Sequence, residues 1–481
     1  MPRPISSRMS TKACLSLVAS LVLSACTKPN PKNCGDGSCT DPAFPFCDVD
    51  GSVGGEPNTC VAVTCTADQF VACRDDLAIT CNAQGNNYDE IKCDKGCDPT
   101  VGCRVCDPNQ TVCADGKLQT CDANGVVTSS ETCALGCFED QPRCRDIDPS
   151  NGLAVFLDMV ANPPDLVLTN GFVQTETGVV TDGGNTIDVP NFLVTAPPGG
   201  VPIRVFIVNS ATITKLSIDG GSAQLPKRPA FALIARGDIT VSGSIVVGSN
   251  AGEMATGCDV GDGQIVERVD GMGNHANYAV GGGGGGGHGT VGARGGSSIG
   301  VAAGGTAGSP AGTETLVPLR GGCAGGSNDG LGGGGAIQLT SGTQIQINGP
   351  IDVGGLQGTI GNIDQLGGVG VAGGGAGGGL LVEAPVVSLG ASAKLLAPGG
   401  AGNGFGSQCD ASTCGVPGVG ATGTTPASAG GDIANANRDI TGGGGGGGLG
   451  RIRINTKDGN FTQLNSTVIN GLSTAGLAAT R

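Results

Sequence analysis

The sequence predicts an all-β protein: a glycine-rich, right-handed parallel β-helix with long loop insertions, preceded by small disulfide-rich modules. Its 481 residues include 92 Gly and 22 Cys but no Trp, and aromatic residues make up only 3 %. The glycines come in runs instead of at every third position, which excludes collagen. Apolar residues in the C-terminal half recur in a repeated three-strand plan, which predicts a solenoid.

The charge balance argues against a polyanionic partner. Lys and Arg total 26 against 41 Asp and Glu, a formal net charge of −15. Proteins that bind nucleic acid concentrate positive charge to displace phosphate counterions. We therefore predict no nucleic-acid partner.

The N-terminus has the order of an export signal. Arg3, Arg8 and Lys12 precede an apolar stretch at 13–25, which is too short to span a bilayer. The stretch ends Leu23-Ser24-Ala25-Cys26, which resembles the lipobox of bacterial lipoproteins. The alternative is an ordinary signal peptide that happens to carry a Cys.

That resemblance implies cleavage after residue 25 and acyl chains, palmitate among them, on Cys26. The membrane is then a partner through the lipid anchor, and two or three acyl chains suffice for stable attachment. Thr27 stands where many inner-membrane lipoproteins have Asp, so the resemblance favours the outer membrane. Residues 1–25 are predicted as signal peptide and 26–33 as anchor and tether.

Sixteen cysteines lie between Cys34 and Cys144 and fall into three modules. A four-Cys module spans 34–64, and two six-Cys repeats span 65–105 and 106–148, offset by about 40 residues. Even counts predict disulfides within each module, but six cysteines allow many pairings and the pairing stays open. The predicted disulfide cysteines here are Cys34, Cys39, Cys47, Cys60, Cys65, Cys73, Cys81, Cys93, Cys97, Cys103, Cys106, Cys113, Cys121, Cys133, Cys137 and Cys144.

Cys103 and Cys106 have the Cys-x-x-Cys spacing of redox dithiols and zinc knuckles. This pair straddles the junction of the two repeats, which favours structural disulfides over a zinc or redox site. We predict no metal and no cofactor.

Beyond about residue 149 the composition changes to alternating apolar and polar residues. Residues 149–230 are predicted as a β-rich N-terminal cap region and 231–481 as the β-helix. Segments starting at Leu233, Ile337 and Leu381 share three short strands separated by glycine corners, and a fourth begins at Arg451. Alternation with a period of two places Ile345 and Ile347 inward, and Gln344 and Gln346 outward.

The insertions between these segments hold the glycine. Residues 251–450 contain 66 of the 92 glycines, including the runs 281–287 and 442–448. Such runs are either flexible loops or extended chains packed side by side, because no Cβ prevents close approach. Two further predicted disulfide pairs in the insertions favour order: Cys258 with Cys323, and Cys409 with Cys414.

The lipobox, the clustered cysteines and the segments 377–385 and 448–455 together resemble the large glycine-rich surface lipoproteins of myxobacteria and related bacteria. That resemblance supports the fold and implies no known activity.

Reactive residues occur without the context that catalysis needs. Residues 296–300 match the Gly-x-Ser-x-Gly nucleophile elbow only as a string, since glycine-rich sequence flanks both sides. His288 follows the first glycine run alone, which is typical of a loop residue. A cation or polysaccharide site in the insertions is an alternative to a solvated loop at Asp259, Asp262, Glu267, Asp270 and His275.

No catalytic residue is predicted. The expectation is a non-catalytic, lipid-anchored protein of the bacterial outer membrane, in which a disulfide stalk presents the β-helix for adhesion or contact with extracellular matrix or polysaccharide. The alternative is a β-helix lyase or hydrolase acting on polysaccharide, which would bring two or three carboxylates to one groove.

Overall fold

The computed structural model describes residues 33–34, 37–195, 200–220, 228–248, 265–269, 276–298, 302–326, 332–358, 360–362, 369–403, 415–433 and 440–481. These residues are nearly all β, as predicted, with one α-helix, α1 (Ala154–Met159), after a 3-10 turn at Ser150–Gly152. In this part of the chain no helix is long and apolar enough to cross a membrane. The chain divides into two compact units, one of Met1–Val112 with Gln119–Glu131 and one of Cys113–Leu118 with Thr132–Arg481.

The cysteine-rich region forms short antiparallel ribbons. Its strands are β1 (Phe46–Asp48), β2 (Thr59–Val61), β3 (Phe70–Arg74), β4 (Leu77–Cys81), β5 (Tyr88–Lys92), β6 (Cys97–Asp98), β7 (Gly102–Cys103), β8 (Thr111–Ala114), β9 (Lys117–Cys121) and β10 (Val127–Thr132). The two six-Cys repeats each hold a three-stranded sheet, β3-β4-β5 and β8-β9-β10. Asp115 and Gly116 turn between β8 and β9 with φ of 52° and 72°, the conformation of a type I′ hairpin turn.

Disulfides close within the predicted modules. The four-Cys module pairs Cys34 with Cys47 and Cys39 with Cys60. Both repeats use one connectivity, in which the first Cys bonds the third, the second bonds the fifth and the fourth bonds the sixth: Cys65–Cys81, Cys73–Cys97 and Cys93–Cys103, then Cys106–Cys121, Cys113–Cys137 and Cys133–Cys144. The prediction of structural disulfides is confirmed. The crosslinks stabilise modules that are too small to bury a sufficient hydrophobic core.

Beyond residue 149, parallel strands predominate. They are β11 (Leu166–Leu168), β12 (Gly171–Gln174), β13 (Val179–Asp182), β14 (Asn185–Ile187), β15 (Asn191–Val194), β16 (Ile203–Val208), β17 (Ala211–Asp219), β18 (Ala230–Ala235), β19 (Ile239–Val247), β20 (Ile265–Val269), β21 (Ala276–Val280), β22 (Ala336–Ser341), β23 (Gln344–Ile347), β24 (Pro350–Asp352), β25 (Ile360–Asn362), β26 (Val369–Val371), β27 (Gly379–Glu383), β28 (Val386–Leu389), β29 (Lys394–Leu396), β30 (Ile440–Thr441), β31 (Arg451–Thr456), β32 (Thr462–Gln463), β33 (Val468–Asn470) and β34 (Leu472–Leu477).

Two sheets share the main core. The seven-stranded sheet has the order β15-β16-β18-β22-β27-β31-β34, and all its pairs except β15 with β16 are parallel. The twelve-stranded sheet runs β14-β13-β12-β17-β19-β23-β28-β32; β11 also pairs with β17, and β24, β29 and β33 continue from β19 along a branch. Each segment of the predicted plan therefore contributes one strand to the seven-stranded sheet, and its following strands join the twelve-stranded sheet.

The repeated plan begins before residue 231. β16 pairs in parallel with β18, and β17 pairs in parallel with β19. This earlier segment lies within the predicted cap region and bends at Thr214, where the register shifts between Ile213 and Lys215. The corresponding bend of β19 has Gly243. The sequence signal for a glycine corner is therefore missing from the first segment.

Aligned apolar side chains, most of them aliphatic, fill the space between the sheets. Phe206, Leu233, Leu339, Val382 and Ile454 occupy one register position on successive strands, and each is buried. On the second sheet Ile345 and Ile347 are buried while Gln344 and Gln346 are exposed, as the alternation predicts. The seven-stranded sheet is covered on its other face by Leu153, Leu157, Leu316 and Leu319, among others, so its middle strands β18, β22 and β27 are buried on both faces.

The first glycine run is ordered and buried. Residues 281–287 are all buried and their backbone bonds neighbouring segments at intervals of three residues. The amides of Gly282 and Gly285 donate to the carbonyls of Gly296 and Ala293. This interval matches the three residues per turn of an extended polyproline-type helix.

Other faces of the same run bond other segments. The amides of Gly283 and Gly286 donate to Val371 and Gly374, and their carbonyls accept from Gly445 and Gly448 of the second glycine run. The prediction of packed glycine chains is thus confirmed for the described residues. A Cβ at Gly283 would meet the carbonyl oxygen of Gly326, so absence of a side chain is a steric requirement.

Replacing one of these glycines with Ala is expected to destabilise the fold. A Cβ at Gly285 would meet the carbonyl of Gly446, whereas the nearest atom to a Cβ at Gly237 is the Asn209 carbonyl oxygen at 3.2 Å. Gly285→Ala should lower the free energy of unfolding by about 1–3 kcal/mol or more, measured by urea denaturation followed by circular dichroism. Gly237→Ala is the matched control and should cost clearly less; equal effects would contradict close packing of the run.

Candidate functional site

Several predicted site residues lie outside the described part of the chain. They are Cys26, Cys258, Cys409, Cys414, Asp259, Asp262, Asp270 and His275. Glu267 belongs to β20, but only its backbone is described. Cys323 is disulfide-bonded, and its partner is outside the described residues because the sixteen other described cysteines pair with one another.

The cysteine sulfurs of the described residues are engaged in disulfides. Cys103 bonds Cys93 and Cys106 bonds Cys121, so this Cys-x-x-Cys pair is divided between two bridges. Among the described residues, one group of three metal-type side chains comes together, formed by Cys34, Cys39 and Cys60. All three belong to disulfides, whereas zinc binds thiolates. The many bridges indicate an exported protein in an oxidising compartment.

The serine of the elbow-like string is a packing residue. Ser298 is 1 % exposed, and its hydroxyl donates to the carbonyl of Val280 at 2.8 Å. A nucleophilic serine needs a base within hydrogen-bonding distance and access to substrate. Ser298 is buried away from substrate and its hydroxyl proton is donated to a main-chain carbonyl, which supports the interpretation of the string as coincidental.

His288 is a buried structural contact and not an exposed loop residue. Its ring is fully buried, and Nδ1 lies 2.9 Å from the carbonyl oxygen of Gly377 and 3.1 Å from that of Gly378. Because both partners are acceptors, Nδ1 carries the proton. Nε2 has no hydrogen-bond partner. Burial, reinforced by the charges of Arg320 and Arg451, lowers the pKa of His288 to about 4, so the ring is neutral near pH 7.

Glu383 is a buried acidic side chain with an extensive set of hydrogen bonds. It lies on β27, is 1 % exposed, and accepts five hydrogen bonds from four residues. Its Oε1 accepts from the Ser150 hydroxyl at 2.6 Å and from Asn455 Nδ2 at 3.0 Å. Its Oε2 accepts from the Ser150 amide at 3.0 Å, Gln338 Nε2 at 2.9 Å and Thr340 Oγ1 at 3.2 Å.

The pairing of Ser150 with Glu383 resembles a serine beside a carboxylate base, but its role is structural. Asn455, which also accepts from Arg453 Nε at 2.7 Å, connects a positive charge to the buried carboxylate. Every lone-pair direction of Glu383 is used by protein donors, which leaves no room for a substrate proton. The carboxylate thereby ties the segment before α1 to three strands of the seven-stranded sheet.

Sequence reasoning missed Glu383. The available signal is a single acidic residue ending the apolar run Leu380-Leu381-Val382. Its register partners, Thr340 and Asn455, are polar too, but that alignment is visible only once the strands are paired.

A cavity of about 270 Å³ lies beside α1, within the second unit. It is lined by Asp146, Ile147, Leu157, Asp158, Ala235, Arg236, Gly342 and Arg481. Arg481 donates to both carboxylate oxygens of Asp158, at 2.7 and 2.9 Å, and this hydrogen bonding lowers the pKa of Asp158. Arg236 donates to three carbonyls at the end of α1. Two carboxylates line the cavity, but one is neutralised by its ion pair.

The exposed face of the twelve-stranded sheet carries a line of polar side chains. Strand registers align Thr212, Thr240, Gln346, Ser388 and Thr462 on five successive strands; we call these five the hydroxyl–amide row. Each is exposed or half-buried. Neighbouring strands are about 4.8 Å apart, so the members of the row are evenly spaced.

The chain matches no protein-family model, no curated protein and no solved structure. Its chemistry must therefore be inferred from the arrangement of its own residues.

Protonation of His288 should make the fold sensitive to acid. The unfolded imidazole has a pKa near 6.5 and the folded one about 4, so the unfolded state binds more protons between these values. The stabilisation is complete above about pH 6.5 and is lost as pH falls towards 4, by about 3 kcal/mol in total.

Urea denaturation at several pH values tests this, with His288→Asn as the comparison because Asn keeps an N–H donor but does not titrate. Subtracting the variant's free energies from those of the wild type should leave a slope confined to this window. A difference that does not change with pH would contradict burial of a neutral His288.

Proposed function

We propose that this protein is an exported, lipid-anchored surface protein without catalytic activity, in which disulfide modules hold a glycine-rich parallel β-helix that contacts extracellular matrix or polysaccharide. The observation that carries this proposal is that the reactive side chains of the described residues form hydrogen bonds within the protein. Glu383, His288 and Ser298 are each buried and hydrogen-bonded to protein. An enzyme would instead direct such groups towards a substrate.

A right-handed parallel β-helix is supported by the order in which strands join the sheets. Strands β18, β22, β27 and β31 enter one sheet in sequence order, and each is followed by strands that enter the other sheet in the same order. Repeated return to the same neighbour in parallel register is what a solenoid requires. The buried aliphatic columns supply the continuous core.

The anchor is supported by the sequence order of basic residues, apolar stretch and Cys26, and the exported compartment by the disulfides. The outer membrane is proposed from Thr27 and the lipobox resemblance alone. The polysaccharide-active enzyme is the less favoured function, because Asp158 of the cavity pair is already bound by Arg481.

Replacing Cys26 tests the anchor. In a bacterial host that lipidates its own lipoproteins, Cys26→Ser should abolish labelling by a radiolabelled fatty acid and release the protein from the membrane fraction. Cys14→Ser, within the same signal segment, is the matched control and should be labelled like the wild type. Fatty-acid labelling of the Cys26→Ser protein would contradict the proposal of a lipid anchor.

The same strains test the surface role. Cells that display the wild type or Cys14→Ser should adhere to polysaccharide-coated surfaces more than cells producing Cys26→Ser, because only the anchored protein links cell to surface. Purified protein should release no sugar fragments from those coatings. Equal adhesion of all strains would count against adhesion, and release of fragments would favour the enzyme.

A further inference from the structure

We propose that the hydroxyl–amide row is the binding site of this protein for a neutral polysaccharide, a polymer of uncharged sugars. This inference rests on the proposed function and deepens it, because it assigns both the contact surface and the class of polymer. It commits to one occupant of the face, a single extended sugar chain lying across the strands.

The row has unused hydrogen-bonding groups. None of the five side chains makes a hydrogen bond to another described residue, whereas several polar side chains beside the row are paired within the protein. Gln344 Nε2 donates to Asp238 Oδ2 at 2.8 Å on one side. On the other side, the hydroxyls of Thr214 and Ser242 lie 3.4 Å apart. Four hydroxyls and one carboxamide therefore remain available in the line.

These groups match the chemistry of sugar hydroxyls. A hydroxyl donates one hydrogen bond and accepts two, and a carboxamide does both, so each position can meet a sugar hydroxyl in either role. The five strands span about 19 Å from first to last, enough for several sugar units. Each contact is weak, and several along one chain add through multivalency.

Charge selects a neutral polymer over an anionic one. No Lys or Arg occupies the row or the positions two residues before and after each of its members. The charge on those flanking positions is negative, at Asp238, and the whole chain carries −15. Sulfated or carboxylated polymers would find no compensating cation at these positions.

The backbone holds the row in place before a ligand arrives. At Thr240, Gln346 and Ser388 the strand that carries the residue is paired with a neighbouring strand on each side. The side chains on the inward face of these strands belong to the core. Folding has therefore already ordered the backbone of the row, which reduces the entropic cost of binding.

Removing the hydroxyls tests the site. The triple variant Thr212→Val, Thr240→Val and Thr462→Val keeps the side-chain shape and suits exposed strand positions. The matched control is Thr181→Val with Thr186→Val, a cross-strand pair on β13 and β14 of the same sheet but outside the row. Binding of the full-length proteins in detergent is measured to amorphous cellulose, dextran and curdlan, with heparin and alginate as anionic comparators.

The wild type and the control should bind at least one neutral polymer and neither anionic one, and the triple variant should bind that neutral polymer at least tenfold more weakly. Unchanged binding by the triple variant, binding of anionic polymers only, or binding of none would overturn the inference. Thermal unfolding checks the fold, and if the triple variant is unfolded, Gln346→Ala provides the same test at one position.

The outcomes separate the inference from the proposed function. If cells producing the triple variant still adhere in a Cys26-dependent manner, the surface role stands and the row is not the contact. If the purified protein binds neutral polymer through the row but adhesion does not depend on the anchor, the binding site stands and the proposed adhesive role fails.

Discussion

Backbone hydrogen bonding between glycine chains is the constraint on which the C-terminal region depends. The run 281–287 has protein on its sides, and its amides and carbonyls bond a different neighbour at each of three successive positions. Buried peptide groups without partners would cost free energy comparable to a lost hydrogen bond each, so the segments must approach closely. Close approach in turn excludes any Cβ at positions such as Gly283 and Gly446, where one would meet a carbonyl oxygen.

Three kinds of interaction thus replace one conventional core. Disulfides crosslink the cysteine-rich modules, aliphatic columns fill the space between the two sheets, and glycine backbones pack in the long insertions. Two buried polar side chains add contacts within the second unit: Glu383 binds the segment before α1 to the seven-stranded sheet, and His288 links the end of the first glycine run to Gly377 and Gly378. The buried reactive side chains Glu383, His288 and Ser298 are hydrogen-bonded within the protein.

Much of the fold was predictable because it depends on local patterns. Alternation identified Ile345 and Ile347 as core, glycine corners identified the strand plan, and even Cys counts identified closed modules. The segment at Ile203 was placed in the cap because the repeated plan is strongest from Phe231 onward, and its bend at Thr214 lacks the glycine of the later corners. The disulfide connectivity, the partners of His288 and the Glu383 network depend on residues far apart in sequence that only strand pairing and glycine packing bring together. The hydroxyl–amide row was missed for the same reason, since its members are separate strand residues that register alone aligns.

Amide hydrogen exchange of the first glycine run measures the central claim most directly. The account predicts that the amides of Gly282, Gly283, Gly285 and Gly286, which donate to Gly296, Val371, Ala293 and Gly374, exchange as slowly as those of core strands such as β22 at neutral pH. Exchange of these amides at the rate of an unstructured glycine peptide would contradict it, because a flexible run cannot maintain those hydrogen bonds.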